Sequence, residues 1–261
     1  MSLPTLFVSH GSPMIAVGQT PAARFLAGLA AMLPRPRAML MVSAHWETAS
    51  PMLNAVEHHE TIHDFMGFPR ALYQLRYPAP GEPALARDIA ACLQEAGFDA
   101  GLDGERGLDH GAWVPLLLGW PAADVPTLQL SVQTRLGPRH ALAVGRALAP
   151  LREQGVLIIG SGSFTHDLRR FRGQPLDAAE SPDVTAFSRW MDAAIRRHDT
   201  AALLDYRAAA PHAVDEHPTE EHLLPLFTAL GAGGEDAARQ LHGSTEYGIL
   251  RMDAYGFGLP A

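Results

Sequence analysis

Two short apolar runs in this chain each lead directly into a histidine. Residues 6–9 precede His10, and residues 39–44 precede His45. Because each run is followed by a turn, we expect both imidazoles at the carboxyl ends of buried strands, where open α/β sheets bind their ligands. A histidine in that place is either a hydrogen-bonded strand terminator or a ligand. Since the two runs share one context, the pattern favours a ligand site and suggests a metal.

Three further histidines stand where the chain is expected to turn. His110 opens a short apolar helical pattern, and His166 follows a strand-like run and a glycine-rich turn. His222 is expected in the first turn of a helix that Thr219 caps. The chain has 13 histidines and a single cysteine, so a metal here would have nitrogen and oxygen ligands. Because no H-E-x-x-H motif is present, the fold must gather these ligands.

The elements that would hold these side chains alternate along the chain. Short aliphatic runs predict strands, and apolar residues at three- and four-residue spacing predict helices. The predicted strands are residues 5–9, 38–43, 127–132 and 156–159, and the predicted helices are residues 21–33, 83–97, 138–151 and 183–197. This alternation indicates an α/β fold whose largely parallel or mixed central sheet carries helices on both faces. We expect residues 1–261 to form a single domain.

Two other segments carry distinct patterns. Residues 246–255 alternate between apolar and polar side chains, which predicts an edge strand. Residues 58–81 contain three histidines, two phenylalanines and three prolines and fit neither the helical nor the strand period. They predict a long ordered loop, and such loops are often functional.

Composition excludes several classes of protein. The net charge of −8 argues against a nucleic-acid partner, because no cluster of cations is available to neutralise phosphates. The chain contains no lysine, which excludes a lysine Schiff base, and the single Cys92 excludes a disulfide framework and a thiolate zinc site. No signal segment or membrane-length apolar run is present, so we expect a cytoplasmic protein without a membrane partner.

Seven short motifs follow one another in an order that covers nearly the whole chain. They are residues 9–14 (SHGSPM), 43–46 (SAHW), 61–69 (TIHDFMGFP), 77–81 (YPAPG), 109–113 (DHGAW), 165–168 (THDL) and 218–222 (PTEEH). As an ordered series, they closely resemble the DOPA 4,5-dioxygenase branch of the class III extradiol ring-cleavage dioxygenases. One of these motifs alone would be a weak signal, whereas the series is specific.

The resemblance implies a non-haem Fe(II) enzyme that opens a catechol ring beside its two hydroxyls and inserts both atoms of O2. It places the metal on His10, His45 and His222, and it places His110 and His166 on the open side as catalytic residues. Whether His166 binds the metal or acts as an acid and base stays open in the sequence. Zn(II) is expected to compete for the same nitrogen ligands in purified protein. The sequence indicates neither the particular catechol nor an oligomeric state.

The resemblance also gives the long loop of residues 58–81 a role in shaping the substrate pocket. His63 and Phe65 are its candidate substrate-binding residues, with a solvent-facing position as the alternative for His63. Two other functions use the same histidines. One is a zinc-dependent hydrolase assisted by Glu47 or Glu221, and the other is a metal-binding relative without catalysis.

Overall fold

An eight-stranded mixed sheet lies at the centre of the computed structural model, which describes residues 2–259 of the 261. The strands are β1 (Thr5–Ser9), β2 (Ala38–Glu47), β3 (Met52–Asn54), β4 (Gly101–Asp103), β5 (Thr127–Val132), β6 (Val156–Gly162), β7 (Ala238–His242), β8 (Thr245–Glu246), β9 (Leu250–Arg251) and β10 (Ala254–Phe257). The sheet has the order β4-β3-β5-β2-β6-β1-β10-β7, and β8 and β9 form a separate small ribbon. The four central strands run parallel, with antiparallel neighbours outside them.

Nine α-helices cover this sheet within the described residues 2–259. They are α1 (Pro21–Gly28), α2 (Pro83–Glu95), α3 (His110–Gly119), α4 (Gly137–Leu148), α5 (Pro182–Arg196), α6 (Thr200–Leu204), α7 (Tyr206–Ala209), α8 (Ala213–Glu216) and α9 (Leu224–Gly233). Side chains of β1 alternate between two cores, because Leu6 and Val8 pack with α1 and α3 while Phe7 packs with α2, α4, α5 and α9. The predicted α/β fold with helices on both faces is therefore confirmed.

The central strands are the buried runs that the sequence predicts. Every residue of β1, β5 and β6 is buried, as expected for strands covered on both faces. Two of the strands continue beyond their predicted ends, β2 to Glu47 and β6 to Gly162. His45 consequently lies within the last residues of β2 rather than beyond it, whereas His10 directly follows β1.

The prediction of one edge strand over residues 246–255 is wrong. The chain turns at Tyr247 and Gly248, which have positive φ angles of 57° and 70°, and the segment therefore divides into β8, β9 and β10. Strand β10 lies inside the sheet, between β1 and β7, so β7 forms the edge. Gly248 is a common turn residue, but a single glycine within a strand pattern also fits a bulge, and Tyr247 is not a residue that commonly marks a turn.

The start of α9 also differs from the prediction. The helix begins at Leu224, with Pro225 in its first turn, and residues 218–223 form turns before it. Thr219 donates a hydrogen bond to Glu221 instead of capping the helix. Proline lacks an amide hydrogen and is tolerated at the start of a helix, so Pro225 marks the first turn better than Thr219 does. His222 accordingly lies in the turn that leads into the helix.

The long loop has the irregular structure that its sequence predicts. It contains one short 3-10 turn, Arg70–Gln74, and is tied down by isolated bridges between His58 and Pro80 and between Thr61 and Leu108. Predicted helical residues beyond α1 and α4 form 3-10 turns, Leu29–Met32 and Ala149–Arg152. No helix among residues 2–259 combines the length and the apolar character needed to cross a membrane.

Candidate metal centre and active site

Three imidazoles from distant parts of the chain converge at the carboxyl ends of the central strands. The Nε2 atom of His45 lies 3.0 Å from Nε2 of His10 and 3.3 Å from Nε2 of His222. The end of β6 aligns two of them, because His10 donates its amide to the Gly162 carbonyl and the His222 carbonyl accepts from the Ser163 amide. The structure thus brings together all three residues that the resemblance places on the metal.

Gly162 is the residue that permits this close approach. A Cβ atom built on it would lie 2.0 Å from the carbonyl oxygen of His222, far inside van der Waals contact. Gly11, directly after His10, has a φ of +63°, which turns the chain sharply away from the strand. The two glycines let backbone segments meet where larger residues would separate the imidazoles.

Hydrogen bonds at the opposite nitrogens orient two of the rings. Nδ1 of His10 lies 3.1 Å from the hydroxyl oxygen of Ser161, which itself donates to the Gly111 carbonyl. Because that hydroxyl hydrogen is already used, Nδ1 of His10 is the donor. Nδ1 of His222 lies 3.0 Å from a carboxylate oxygen of Glu221, which can only accept when ionised. Both Nε2 atoms therefore carry a lone pair.

The third ring has a more distant acidic neighbour, since Nδ1 of His45 lies 3.6 Å from Asp64. Burial and the nearby His110 lower the pKa of His45 to about 3. Burial, together with neighbouring imidazoles, also lowers the pKa of His10 and His222 well below the ordinary value. All three rings are consequently neutral near pH 7, which is the state that binds a metal.

The donor set fits a divalent transition metal. Three Nε2 atoms face one another. His10 and His222 carry their ring hydrogen on Nδ1, so their Nε2 atoms bear lone pairs, and a neutral His45 can place at most one hydrogen among the three nitrogens. A cation between the rings would remove the repulsion between these lone pairs. Two nitrogens bound to one metal at about 2.1 Å are about 3.0–3.4 Å apart at octahedral or tetrahedral angles, and the observed separations are 3.0 and 3.3 Å.

His110 lies beside this group as the first residue of α3. Its ring centroid is 3.9 Å from that of His45. One carboxylate oxygen of Asp64 accepts the backbone amide of His110 at 2.9 Å. The other lies 2.9 Å from Nδ1, close enough for an ion-pair contact but not aligned for a hydrogen bond. Burial opposes ionisation of Asp64, but its contacts with His110 lower the pKa of the carboxyl overall. Asp64 thereby ties the long loop to a catalytic candidate, and sequence reasoning assigned it no role.

Two acidic residues next to catalytic candidates serve local structure instead. Asp109 accepts the amide of Ala112 at 3.2 Å and so caps α3, and it also accepts from the Ser43 hydroxyl at 2.6 Å. Asp167 accepts the amide of Arg169 and pairs with its guanidinium at 2.7 Å. Each carboxylate therefore caps its own segment of backbone.

His166 lies against the other side of the group. Its ring stacks on that of His222 at a centroid distance of 3.4 Å and an angle of 13°. Its amide donates to the Glu216 carbonyl at 2.8 Å, which fixes the backbone, and burial lowers its pKa. A nitrogen of His166 lies within 4.8 Å of ligand atoms of His222 and Glu221, but His166 is outside the group of three formed with His10 and His45.

A cavity of about 420 Å³ opens onto these side chains. Its lining includes the five histidines singled out above and Phe65, one of the two candidate substrate-binding residues of the long loop. His63 is absent from the lining. It packs against Phe65 and Trp113 at centroid distances of 5.7 and 5.6 Å, and its Nε2 lies 3.2 Å from the Leu75 carbonyl. A direct contact between His63 and substrate therefore stays a prediction, while its contact with Phe65 is observed.

Neither glutamate considered for a zinc hydrolase is placed as a free base. Glu47 is exposed and accepts a hydrogen bond from Thr134. Glu221 is engaged by Nδ1 of His222 and by the Thr219 hydroxyl, both at 3.0 Å. The geometry thus provides no specific support for that alternative.

The chain was compared with known proteins. The family described as the catalytic LigB subunit of aromatic ring-opening dioxygenase matches residues 4–258. A protein of Beta vulgaris named 4,5-DOPA dioxygenase extradiol is 43% identical over 97% of this chain and 96% of its own length. A protein of the same name from Escherichia coli K12 is 38% identical over 96% of this chain and 93% of its own.

A solved structure agrees with these sequence relatives. The crystal structure of an uncharacterized protein from Escherichia coli K12 superposes with a TM-score of 0.82 and 33% sequence identity, and the match covers 98% of this chain and 100% of that one. The resemblance predicted from the ordered motifs is thereby confirmed. This chain belongs to the family of catalytic LigB-type subunits of aromatic ring-opening dioxygenases.

Proposed function

We propose that this extradiol dioxygenase uses Fe(II), held by His10, His45 and His222, to open the ring of a small catechol with O2. The observation that carries the proposal is that three Nε2 atoms converge on one cavity. Nε2 of His45 lies 3.0 Å from Nε2 of His10 and 3.3 Å from Nε2 of His222. Three protein ligands leave positions for other groups on a metal, and a catechol presents two oxygens.

The metal would supply one place at which the catechol oxygens and O2 are brought together and activated. The protein's part is to fix its ligands. Ser161 and Glu221 orient two of the rings from behind, and such supporting contacts tune both the position and the basicity of a ligand. Because zinc binds nitrogen sites more tightly than iron, zinc in the purified protein would be consistent with the proposal.

His166 is proposed as the acid and base. Its imidazole is accessible from the cavity and is held in place by the stacking on His222 and by the backbone hydrogen bond to Glu216. A neutral imidazole can take the proton of a catechol hydroxyl at a ring nitrogen and return it when the ring opens. Its place outside the three-nitrogen group supports this role over that of a direct ligand.

His110 is proposed to form a hydrogen bond with an oxygen of the substrate or of O2. Asp64 acts through it as a positioning residue, because its carboxylate accepts the amide of His110 and faces the ring nitrogen at 2.9 Å. Phe65 would form part of the wall for the substrate ring, since its own ring meets that of His110 edge-on at 5.7 Å. His63 would contribute by packing behind Phe65.

The test is oxygen uptake after reconstitution. Protein prepared without metal should be loaded with Fe(II) under nitrogen, mixed with each of a panel of catechols and then exposed to air. We expect one O2 to be consumed for each catechol, with a yellow ring-opened product, and no uptake by Zn(II)-loaded protein. Absence of oxygen uptake with every catechol would refute the proposal. A cytoplasmic location stays a separate prediction, which cell fractionation tests.

A further inference from the structure

A buried ion pair connects the last residue of α8 to the wall of the cavity. Glu216 is fully buried at the end of α8, and its carboxylate accepts a hydrogen bond from Arg170 at 2.8 Å. Arg170 stands in the chain between Leu168 and Phe171, two residues that line the cavity. The position of this part of the wall therefore depends on the buried carboxylate.

The same glutamate holds the proposed acid and base through its backbone. The carbonyl of Glu216 accepts the amide of His166 at 2.8 Å, while its side chain binds Arg170. Only three residues separate His166 from Arg170 along the chain. Glu216 consequently fixes both ends of one short segment, which begins at the imidazole and ends at the wall.

Arg170 extends this connection to the beginning of α5. Its second terminal nitrogen donates to the Ser181 hydroxyl and to Asp183, both at 3.0 Å. The Ser181 amide in turn donates to the Gly248 carbonyl at 2.9 Å. Gly248 directly follows Tyr247, which also lines the cavity. Arg170 thus lies where α5, α8 and two parts of the wall meet.

The carboxylate of Glu216 is costly to bury. Its second oxygen, Oε2, has no hydrogen-bond partner among residues 2–259. Burial, with smaller effects of Asp183 and Asp167, raises the pKa of this carboxyl to about 7, although Arg170 opposes the shift. Neutral side chains of similar size often replace a buried ion pair without loss of stability. Net stability therefore does not account for this pair, whereas a fixed position for its neighbours does.

We infer that Arg170 and Glu216 are positioning residues, which hold the His166 imidazole and the wall of residues 168–171 in one arrangement for the reaction. The inference rests on the role proposed for His166. Without the ion pair, the segment from His166 to Arg170 would keep only its backbone contact with α8. A displacement of about 1 Å in a reacting group can slow a reaction about 10²-fold.

Two variants of the Fe(II)-loaded full chain test the pair. Glu216→Gln keeps the shape of the side chain and removes its charge. The double variant Arg170→Met, Glu216→Gln removes both charges, so it should fold even if the single variant does not. We expect kcat to fall about 10- to 100-fold in both, with iron content unchanged. A kcat within twofold of the unmodified protein, or loss of iron together with kcat, would overturn the inference.

Asp236→Asn is the matched control for the loss of a carboxylate that pairs with an arginine. Asp236 pairs with Arg152 outside the cavity, and Arg152 also donates to the Leu3 carbonyl, before the start of β1. This ion pair lies at the amino end of β1, whereas His10 follows the carboxyl end. We expect Asp236→Asn to keep the kcat of the unmodified protein, and an equal fall in both proteins would contradict the inference.

A comparison in a second background separates positioning from general damage to the fold. If Glu216 acts through His166, it has no imidazole to position in His166→Ala. Adding Glu216→Gln to His166→Ala should therefore change kcat by less than about twofold. The same 10- to 100-fold fall in both backgrounds would contradict the inference, because it would show that Glu216 acts independently of His166.

Hydrogen exchange tests the positioning without any turnover. In Zn(II)-loaded protein, the His166 amide should exchange at least tenfold faster in the double variant, while the amides of β5 keep their rates. If the His166 amide responds in this way but no catechol is opened, the proposed activity is wrong and the positioning stands. If its exchange rate is unchanged, or if β5 changes equally, the inference is wrong whatever the activity.

Discussion

Replacing Asp64 by asparagine should slow ring opening about 10- to 100-fold while the metal stays bound. The carboxylate lies 2.9 Å from Nδ1 of His110 and accepts its amide at 2.9 Å. Groups that orient a working imidazole from behind typically contribute about 10- to 100-fold, which is about 1.4–2.8 kcal/mol at about 1.4 kcal/mol for each factor of ten. Asparagine keeps one oxygen for the amide and loses the charge, so the effect should fall on the His110 ring rather than on the fold.

The assay compares rate with metal content. Both quantities should be measured on the same preparation, with oxygen uptake giving kcat and KM and atomic absorption giving iron per chain. Asp124→Asn is a matched control, because Asp124 is half exposed and pairs with Arg35 at 2.9 Å outside the cavity. We expect the control to keep the activity of the unmodified protein, since an exposed ion pair contributes little to stability.

Two results would refute this account of Asp64. Activity of Asp64→Asn within about twofold of the unmodified protein would show that the carboxylate does not position His110. Loss of iron together with activity would make Asp64 a ligand, and the structure offers that alternative, because ligand atoms of His45, Asp64 and His110 lie within 4.8 Å of one another.

Three further predictions concern the other supporting residues. His166→Ala should keep its iron and lose activity about 10²- to 10⁴-fold, the usual contribution of an acid–base group, and a parallel loss of iron would make His166 a ligand instead. Ser161→Ala removes the acceptor 3.1 Å from Nδ1 of His10 and should weaken iron binding about 10- to 100-fold in a chelator titration, whereas unchanged affinity would contradict an orienting role. Burial lowers the pKa of His217 to about 4. Between about pH 6.5 and pH 4, His217 binds a proton in the unfolded chain but not in the folded one. Its titration should therefore lower the free energy of unfolding by about 3 kcal/mol as the pH falls from 6.5 to 4. In urea unfolding, the free energy of unfolding should fall less on acidification in His217→Gln than in the unmodified protein. An equal fall in both proteins would contradict the lowered pKa of His217.

Much of the fold follows from local patterns in the sequence. The buried runs at β1, β2, β5 and β6 carry enough aliphatic residues to predict strands covered on both faces. Prolines in the first turn mark the beginnings of α1, α2 and α5. The seven ordered motifs were sufficient to predict the family, because each is a short contiguous pattern and their order covers nearly the whole chain.

The local signals fail where a turn decides the outcome. Residues 246–255 alternate like a strand, yet the positive φ angles at Tyr247 and Gly248 break them into a ribbon and an inner strand. Thr219 resembles a helix cap but bonds to Glu221, because Pro225 sets the start of α9 later. In both cases the competing signals lie within a few residues, and only the packed structure selects between them.

By itself, the sequence determined the α/β class, the central strands and the histidines available for chemistry, because each depends on neighbouring residues. Only the tertiary structure decided which imidazole nitrogens face one another and which are hydrogen-bonded from behind. Ser161 and His10 are 151 positions apart, and His222 and His45 are 177 apart. No periodicity links such pairs. Ser161 and His10 meet because β1 and β6 are parallel neighbours whose register aligns their carboxyl ends. His222 reaches His45 because the turn before α9 is hydrogen-bonded to Ser163 at the end of β6.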